Sequence, residues 1–465
     1  MIEEQDNSRI TIIYNTNYKD KANIVAKTTA EIISKAIEIL LSQPLCDRCL
    51  GRLFGLLGRG FSNAERGEAI KKLIVLSLHE MIRKGDEEAK ELFKLIAPRL
   101  TPYGDRLYEE LFGSPPIKEE CSICGGKLEK FFEETAERLL EEIEKRGIRA
   151  NSFLLGVRLS RDVTSHEDDI RIKFGLEYME SISSEIKREI SKIIQKKSRL
   201  RPDFENPDIV AEIEYPSGII ELRVQPVLLE GTYWKLARRV SQTLWLTRKK
   251  QRKYPYSVEE ALYKIAEQIK GATIVLHGSG REDVDVRMLG TGRPFILEVK
   301  EPKNRVEYVK LIGKSFIIPG FVKAYITAAA NRKRVAELKE EAKKHRKTYY
   351  AIVVSERELD ENDLKALEEF FRDRSIRQRT PRRVRHRRPD VVRTKRVYQV
   401  KTRMLTPRVF AALIEAEGGL YIKELISGDE GDTRPSFAEK LNTRLYCASL
   451  DVVAVESPGR QYDLE

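Results

Sequence analysis

Two groups of residues in this chain have the types and spacing that chemistry requires. The first is four of the five cysteines, which fall into two C-x-x-C pairs, Cys46/Cys49 in CDRCLGRLFG and Cys121/Cys124 in CSICGG. Each pair offers two thiolates on one tight turn, and two such turns face to face complete a tetrahedral set for zinc. Gly51, Gly125 and Gly126 supply the freedom that such bends need. A reducing compartment disfavours paired disulfides, and neither pair sits in the βαβ context of a thioredoxin-like redox motif. Four sulfurs leave no open coordination position, so the expected zinc is structural. Cys447 stands alone in an apolar run and reads as a small buried hydrophobe.

The second group is HGSGREDVDVRMLG, His277 to Gly290, directly after the apolar run ATIVL. It sets Glu282, Asp283 and Asp285 beside Arg281 and Arg287 at the tip of an expected strand. A metal site would need further His or Asp and would leave both arginines next to a cation. A glycosidase pair needs two separated carboxyls in opposed protonation states. Glu282 and Asp283 are adjacent, so on an extended backbone they point to opposite sides. A lone carboxylate bracketed by Arg281 and Arg287 fits better, because arginine favours the ionised form and can also bind a neighbouring phosphate. The plainer alternative is a surface loop held by Asp–Arg pairs. His277 and His386 read as phosphate or backbone contacts rather than as acids or bases.

The net charge of +12 is concentrated in one window: Arg372 to Arg408 holds fifteen Lys/Arg against two Asp, and the rest of the chain nearly balances. Within that window VVRTKRVYQVKTRMLTPRVF alternates Val, Tyr and Leu with Arg and Lys, which predicts strands with cations on one face rather than a disordered tail. Such a face repels itself unless a polyanion neutralises it, so nucleic acid is the expected partner.

These residues must be positioned by two or three domains, the number that 465 residues imply. No apolar run reaches membrane-spanning length, and MIEEQDNSRITIIY lacks the pattern of a signal peptide, so a cytoplasmic protein without a membrane partner is expected. Residues 1–147 read as mostly helical, with apolar residues three and four apart in NIVAKTTAEIISKAIEILLS, AIKKLIVLSLHEMI and ETAERLLEEIEKR. Residues 148–240 read as a small α+β unit: NSFLLGVRLS and IRIKFGLEY as strands, SISSEIKREISKIIQKK as a helix, and IVAEIEY with GIIELRVQPVLL as a hairpin about Pro216-Ser217-Gly218. LTRKKQRKYPYS reads as a linker. Residues 256–465 open on a capping box, Ser257 to Glu260, and continue as strands interspersed with helices, an α+β domain with a mixed or antiparallel sheet.

Three stretches carry a resemblance. Arg281-x-Asp283-x-x-Val286 after a strand resembles the catalytic loop of tRNA pseudouridine synthases, whose Asp is essential. Lys347-Thr-Tyr349-Tyr-Ala351-Ile-Val353 is similar to that superfamily's K-x-Y-x-A-x-V strand, whose Tyr packs on the target base. Gly419-Leu-Tyr421-Ile422-Lys423-Glu-Leu425 resembles the segment whose basic residue pairs with the Asp, although Lys423 stands where several sister families have Arg. SGREDVDVRMLGTGRPF, GTYWKLARRVSQTLW and QRTPRRVRHRRP look characteristic of the archaeal and eukaryotic tRNA pseudouridine-54/55 synthase family.

The resemblance implies a zinc-binding helical region, a THUMP-like RNA-binding unit and a C-terminal pseudouridine synthase domain. It implies an isomerase that converts uridine to pseudouridine in the T-loop of tRNA, with Asp283, Tyr349 and Lys423 as catalytic residues. Arg281, Arg287, Tyr349, Ile422, Arg382 and Arg383 are the expected substrate contacts. Breaking N1–C1′ and joining C5 to C1′ changes no oxidation state and transfers no group, so no cofactor is expected in the chemistry. Another THUMP-containing modifier, a methyltransferase or thiolase, would need a glycine-rich cradle, yet Gly278-x-Gly280 and Gly290-x-Gly292 open no helix in the sequence. A non-catalytic tRNA-binding protein would not need the Asp283 loop.

Overall fold

The computed structural model describes residues 4–247, 249–386 and 388–455. The chain forms two compact units, Met1–Lys145 with Asn151–Leu222 and Arg146–Ala150 with Arg223–Glu465. No described helix is long and apolar enough to cross a membrane.

The first unit begins with the expected helices, among them Asn63–Arg83 and Leu128–Lys145, and adds a short helix, Asp47–Leu53, where a tight turn was expected. In Asn63–Arg83, Ile70, Ile74 and Leu78 recur every four positions and are buried, so one stripe faces the core. Ser62 and Glu65 start that helix as a capping box. A Cβ on Gly51 would fall 1.9 Å from the Asn63 carbonyl oxygen, and one on Gly67 would fall 1.8 Å from that of Asp47. Gly51 therefore lets two helices touch backbone to backbone, instead of making the bend expected of it. Gly125 and Gly126 do bend the chain, at φ of 56° and 70°.

The α+β part of this unit is a four-stranded sheet in which Ser152–Leu159 and Ile209–Tyr215 run parallel, with Arg201–Pro202 and Ile220–Val224 as the edges. The hairpin about Pro216 is present, and Ile182–Lys197 is the predicted helix. IRIKFGLEY is not a strand. Its first half completes the helix Arg161–Phe174, which buries Ile170 and Phe174 four residues apart, leaves Ile172 exposed and ends on the left-handed Gly175. Ile170, Ile172 and Phe174 alternate as the residues of one strand face would, but only the pair four apart points inward, as on a helix.

The second unit is built on an eleven-stranded sheet. Its order is Ser315–Ile318, Val322–Ala329, Val227–Lys235, Arg287–Lys300, Leu445–Val455, Arg346–Ser355, Val409–Glu417, Val392–Thr406, Arg374–Arg379 and Thr433–Arg434, with Thr273–Gly278 pairing Arg287–Lys300 off this path. Neighbours are antiparallel except Leu445–Val455 beside Arg287–Lys300, where Asp451 lies opposite Arg287. Successive residues leave the sheet on opposite sides. Leu229 joins the main core with Leu262 and Ile265 of the helix Val258–Gln268, while Leu228 packs with Ile296 against Val335 and Leu338 of Arg332–Lys344. The result is the α+β architecture expected, a mostly antiparallel sheet flanked by helices.

Two expectations about boundaries change. GIIELRVQPVLL divides between the units, because Val227–Lys235 is an inner strand of the larger sheet and not part of the smaller one. LTRKKQRKYPYS belongs to the second unit, where Trp245 stacks edge-on to Tyr254 and Lys253 lies over the Trp245 ring.

Candidate functional site

The acidic loop is the connection between Thr273–Gly278 and Arg287–Lys300, and it is held from beneath. Arg293 donates Nη1 to the Ser279 carbonyl at 2.7 Å and Nε to Glu282 at 2.8 Å. The Tyr233 hydroxyl donates to the same carboxylate at 3.0 Å. Lys235 donates to the Asp283 carbonyl at 2.8 Å, and Arg238 to that of Asp285 at 2.7 Å. The GTYWKLARR segment is thus the scaffold on which the loop is fixed. Glu282 is buried and Asp283 is open to the surface, so adjacent carboxylates do face opposite ways. Burial alone would raise the Glu282 carboxyl, but the charges of Arg293 and Lys235 hold it below its ordinary value. Burial, with Arg293 adding repulsion, brings Lys235 down to about 8 although Glu282 opposes the shift.

Asp283 meets two cations on one oxygen. Arg383 Nη2 lies 2.8 Å from Asp283 Oδ2, and Lys423 Nζ lies 3.8 Å from it. Lys423 is closer to Asp285, at 2.6 Å, and this bond with its charge holds the Asp285 carboxyl below its ordinary value against the opposing effect of burial. Lys423 lies in the first turn of the short helix Ile422–Ser427. Arg383 Nε also donates to the buried Glu424 at 2.6 Å.

The three motifs meet at one cavity of about 720 Å³. Asp283, Tyr349, Ile422 and Lys423 line it, with Arg281 and Arg383 at its wall. Tyr349 is fixed between Ile414 and Val452 on neighbouring strands, and burial pushes its hydroxyl up to about 12. Tyr350, on the opposite face of the strand, is exposed. Lys347, also on this wall, is 6% exposed and has no hydrogen-bond or ion-pair partner among the described residues. Burial, followed by the charge of Arg293, brings it down to about 7. A second cavity, about 670 Å³, shares Arg281, Asp283, Arg383 and Arg388 with the first and adds Trp245, Lys253 and His386.

Not every predicted contact lies at this site. Arg287 makes a two-pronged ion pair with Asp451 at 2.6 and 2.9 Å, tying the parallel strand pair together, and it lines neither cavity. Arg382 pairs with Glu430 and, at 3.2 Å, with Asp432, so its charge is already met within the chain. His277 is held by Glu298 at 3.0 Å. The arginines expected to bracket the carboxylate are therefore replaced by Arg383 and Lys423. Sequence reasoning gave Lys347 no role beyond its place in the strand motif, and it missed Glu424, Arg293, Tyr233 and Lys235. The last three stand inside the GTGRPF and GTYWKLARR phrases, but nothing local marked them as buried.

In the first unit the four cysteine sulfurs lie within 4.8 Å of one another. Cys46 Sγ and Cys49 Sγ are each 3.6 Å from Cys124 Sγ. A tetrahedron with metal–sulfur bonds of about 2.3 Å has edges of roughly 3.8 Å, so the donor set fits a metal bound by four thiolates.

One cavity at which the three motifs converge, on a mostly antiparallel sheet, is what the resemblance to pseudouridine synthases implies. The family model described as "Pus10, C-terminal" matches residues 228–456, and "Pus10 THUMP domain, archaeal" matches 135–214. A protein of Ignisphaera aggregans named "tRNA pseudouridine synthase Pus10" is 42% identical over 91% of this chain and 99% of its own. One of the same name from Aeropyrum pernix is 41% identical over 92% of this chain and 98% of its own. Among solved structures, "Crystal Structure of a Cbf5-Nop10-Gar1 Complex" is similar at 15% identity and a TM-score of 0.27, covering 49% of this chain and 48% of that one. The chain belongs to the Pus10 family of tRNA pseudouridine synthases.

Proposed function

We propose that this isomerase converts uridine to pseudouridine in the T-loop of tRNA, at position 54, 55 or both, with Asp283 as the catalytic carboxylate. The observation that carries the reading is Asp283 at the wall of the shared cavity, with Oδ2 held by two cations and no partner on Oδ1 among the described residues. The target nucleotide leaves the stack to enter this cavity, and the Tyr349 ring stacks on the extruded uracil to offset part of that cost. Asp283 then acts at the ribose or base while N1–C1′ breaks and C5–C1′ forms, with Lys423 and Arg383 holding its Oδ2. Ile422 and Arg281 border the bound nucleotide. Arg393, Lys401 and Arg403, which have no ion pair among the described residues, are suited to tRNA phosphates together with the THUMP domain. Zinc held by Cys46, Cys49, Cys121 and Cys124 clips the helices of the first unit, a purely structural role. The cytoplasm, where tRNA is available, is the expected compartment.

The test uses unmodified tRNA tritiated at uracil C5, from which pseudouridine formation releases label. The parent releases it and Asp283→Asn does not; equal release by the two would remove Asp283 from catalysis. Mapping the modified nucleotides in the same reaction assigns position 54 or 55.

A further inference from the structure

We propose that Glu424, Arg383 and Asp283 form a relay in which a buried carboxylate fixes the guanidinium that fixes the catalytic carboxylate. Arg383 is then a positioning residue rather than a tRNA phosphate contact. The inference rests on the reading of Asp283 as catalytic.

Distance decides between the two cations on Asp283. Arg383 is 2.8 Å from Oδ2, whereas Lys423 is 3.8 Å from it and makes its close contact, 2.6 Å, with Asp285. A guanidinium is a rigid planar fork, so Nε on Glu424 and Nη2 on Asp283 fix both the direction and the distance of the second carboxylate. An ammonium on a flexible stem fixes only a distance. Glu424 is 4% exposed, and its Oε2 is buried without a hydrogen-bond partner. Removing Arg383 would leave that carboxylate buried and uncompensated, so Glu424 binds the guanidinium whether or not Asp283 is present. Burial would lower the Arg383 pKa, but Glu424 and then Asp283 raise it above the ordinary arginine value. Arg383 therefore enters the site already oriented by one carboxylate and holds Oδ2 of the other, leaving Oδ1 free.

Single-turnover label release with saturating enzyme, measured beside tRNA binding, separates the two roles of Arg383. A misplaced reacting group costs on the order of a hundredfold, and that is the expected fall in saturating rate for Arg383→Ala, with tRNA affinity changed less than about threefold. Arg383→Lys restores only part of the rate, and free guanidinium ion raises the rate of Arg383→Ala. Glu424→Gln, a smaller change, lowers the rate without weakening binding, and combining it with Arg383→Ala costs nothing further. A parent-like saturating rate with much weaker binding would make Arg383 a phosphate contact and overturn the relay, as would additive losses in the double variant. Asp283→Asn is run in parallel. If it remains active, the reading of Asp283 itself fails; if it is inactive while Arg383→Ala keeps the saturating rate, only the relay fails.

Discussion

Lys347 is a long cationic side chain, 6% exposed, with Arg293 and Lys395 nearby and only Glu282 to oppose them. Its replacement by Met, which has a similar length and no charge, should stabilise the second unit in a pH-dependent way. The pKa falls from an ordinary 10.5 to about 7, chiefly through burial and then through Arg293. At about 1.4 kcal/mol per unit, the native state loses on the order of 5 kcal/mol relative to the unfolded chain wherever both carry the proton. The sign follows from proton counts. Between about 7 and 10.5 the unfolded lysine is protonated and the native one is not, so the stability of the parent rises with pH across this window and is lowest below it. The Met variant lacks this slope. Its advantage is therefore greatest below pH 7, shrinks by about 1.4 kcal/mol per pH unit above it, and disappears near 10.5. Both tryptophans, Trp234 and Trp245, lie in the second unit, so denaturant unfolding followed by tryptophan fluorescence reports on that unit. Lys235 titrates alike in both proteins and cancels in the difference. An equal stability gap at pH 6 and pH 9.5, or a Met variant less stable at pH 6, would refute the account of Lys347 as a desolvated cation.

Elemental analysis should find about one zinc per chain, and Cys49→Ser should lose it and unfold the first unit before the second; a metal-free protein with that unit intact would exclude the site. Arg287→Ala leaves Asp451 with Arg238 alone and should cost about 1–2 kcal/mol in denaturant unfolding, discounted for the exposure of Arg287. Its tRNA affinity should match the parent, and a weakened affinity would return Arg287 to the substrate contacts. Arg393→Ala combined with Arg403→Ala should flatten the dependence of log affinity on log salt by about two, one for each phosphate left unneutralised; an unchanged slope would turn that strand away from tRNA.

Local periodicity made most of the elements legible. The capping box at Ser257, the apolar stripe of Asn63–Arg83 and the strand Val392–Thr406 each follow from spacing, although a bulge between Val397 and Gln399 breaks the alternation expected of the strand. Failures occurred where the same letters serve two geometries. The alternation IRIKF suits a strand, but a Ser160 cap and a left-handed Gly175 make it the end of a helix. Val227–Lys235 looked like the return strand of a nearby hairpin, and only its distant partners Val322–Ala329 and Arg287–Lys300 draw it into the larger sheet. The site divides along the same line. Asp283, Tyr349 and Lys423 were legible because each sits in a recurring local pattern. Glu424 and Arg293 were not, and Lys347 was legible as part of its strand pattern but not as a buried cation, because a charged residue's burial is decided by strands far away in sequence.

The charge at the tip of a strand is therefore two layers rather than one cluster. Beneath the backbone of residues 281–283, Glu282, Arg293, Tyr233 and Lys235 form a buried set; on its other side Asp283 and Asp285 meet Arg383 and Lys423. A buried ion network of this kind contributes little net stability compared with apolar residues of the same volume. Its effect is directional: hydrogen bonds to the Ser279 and Asp283 carbonyls fix where the loop lies, which apolar packing would leave free to slide. Because Glu282 is satisfied from below, the next residue must emerge above, so the face from which Asp283 leaves the backbone is set by its neighbour, and Arg383 then aims its carboxylate.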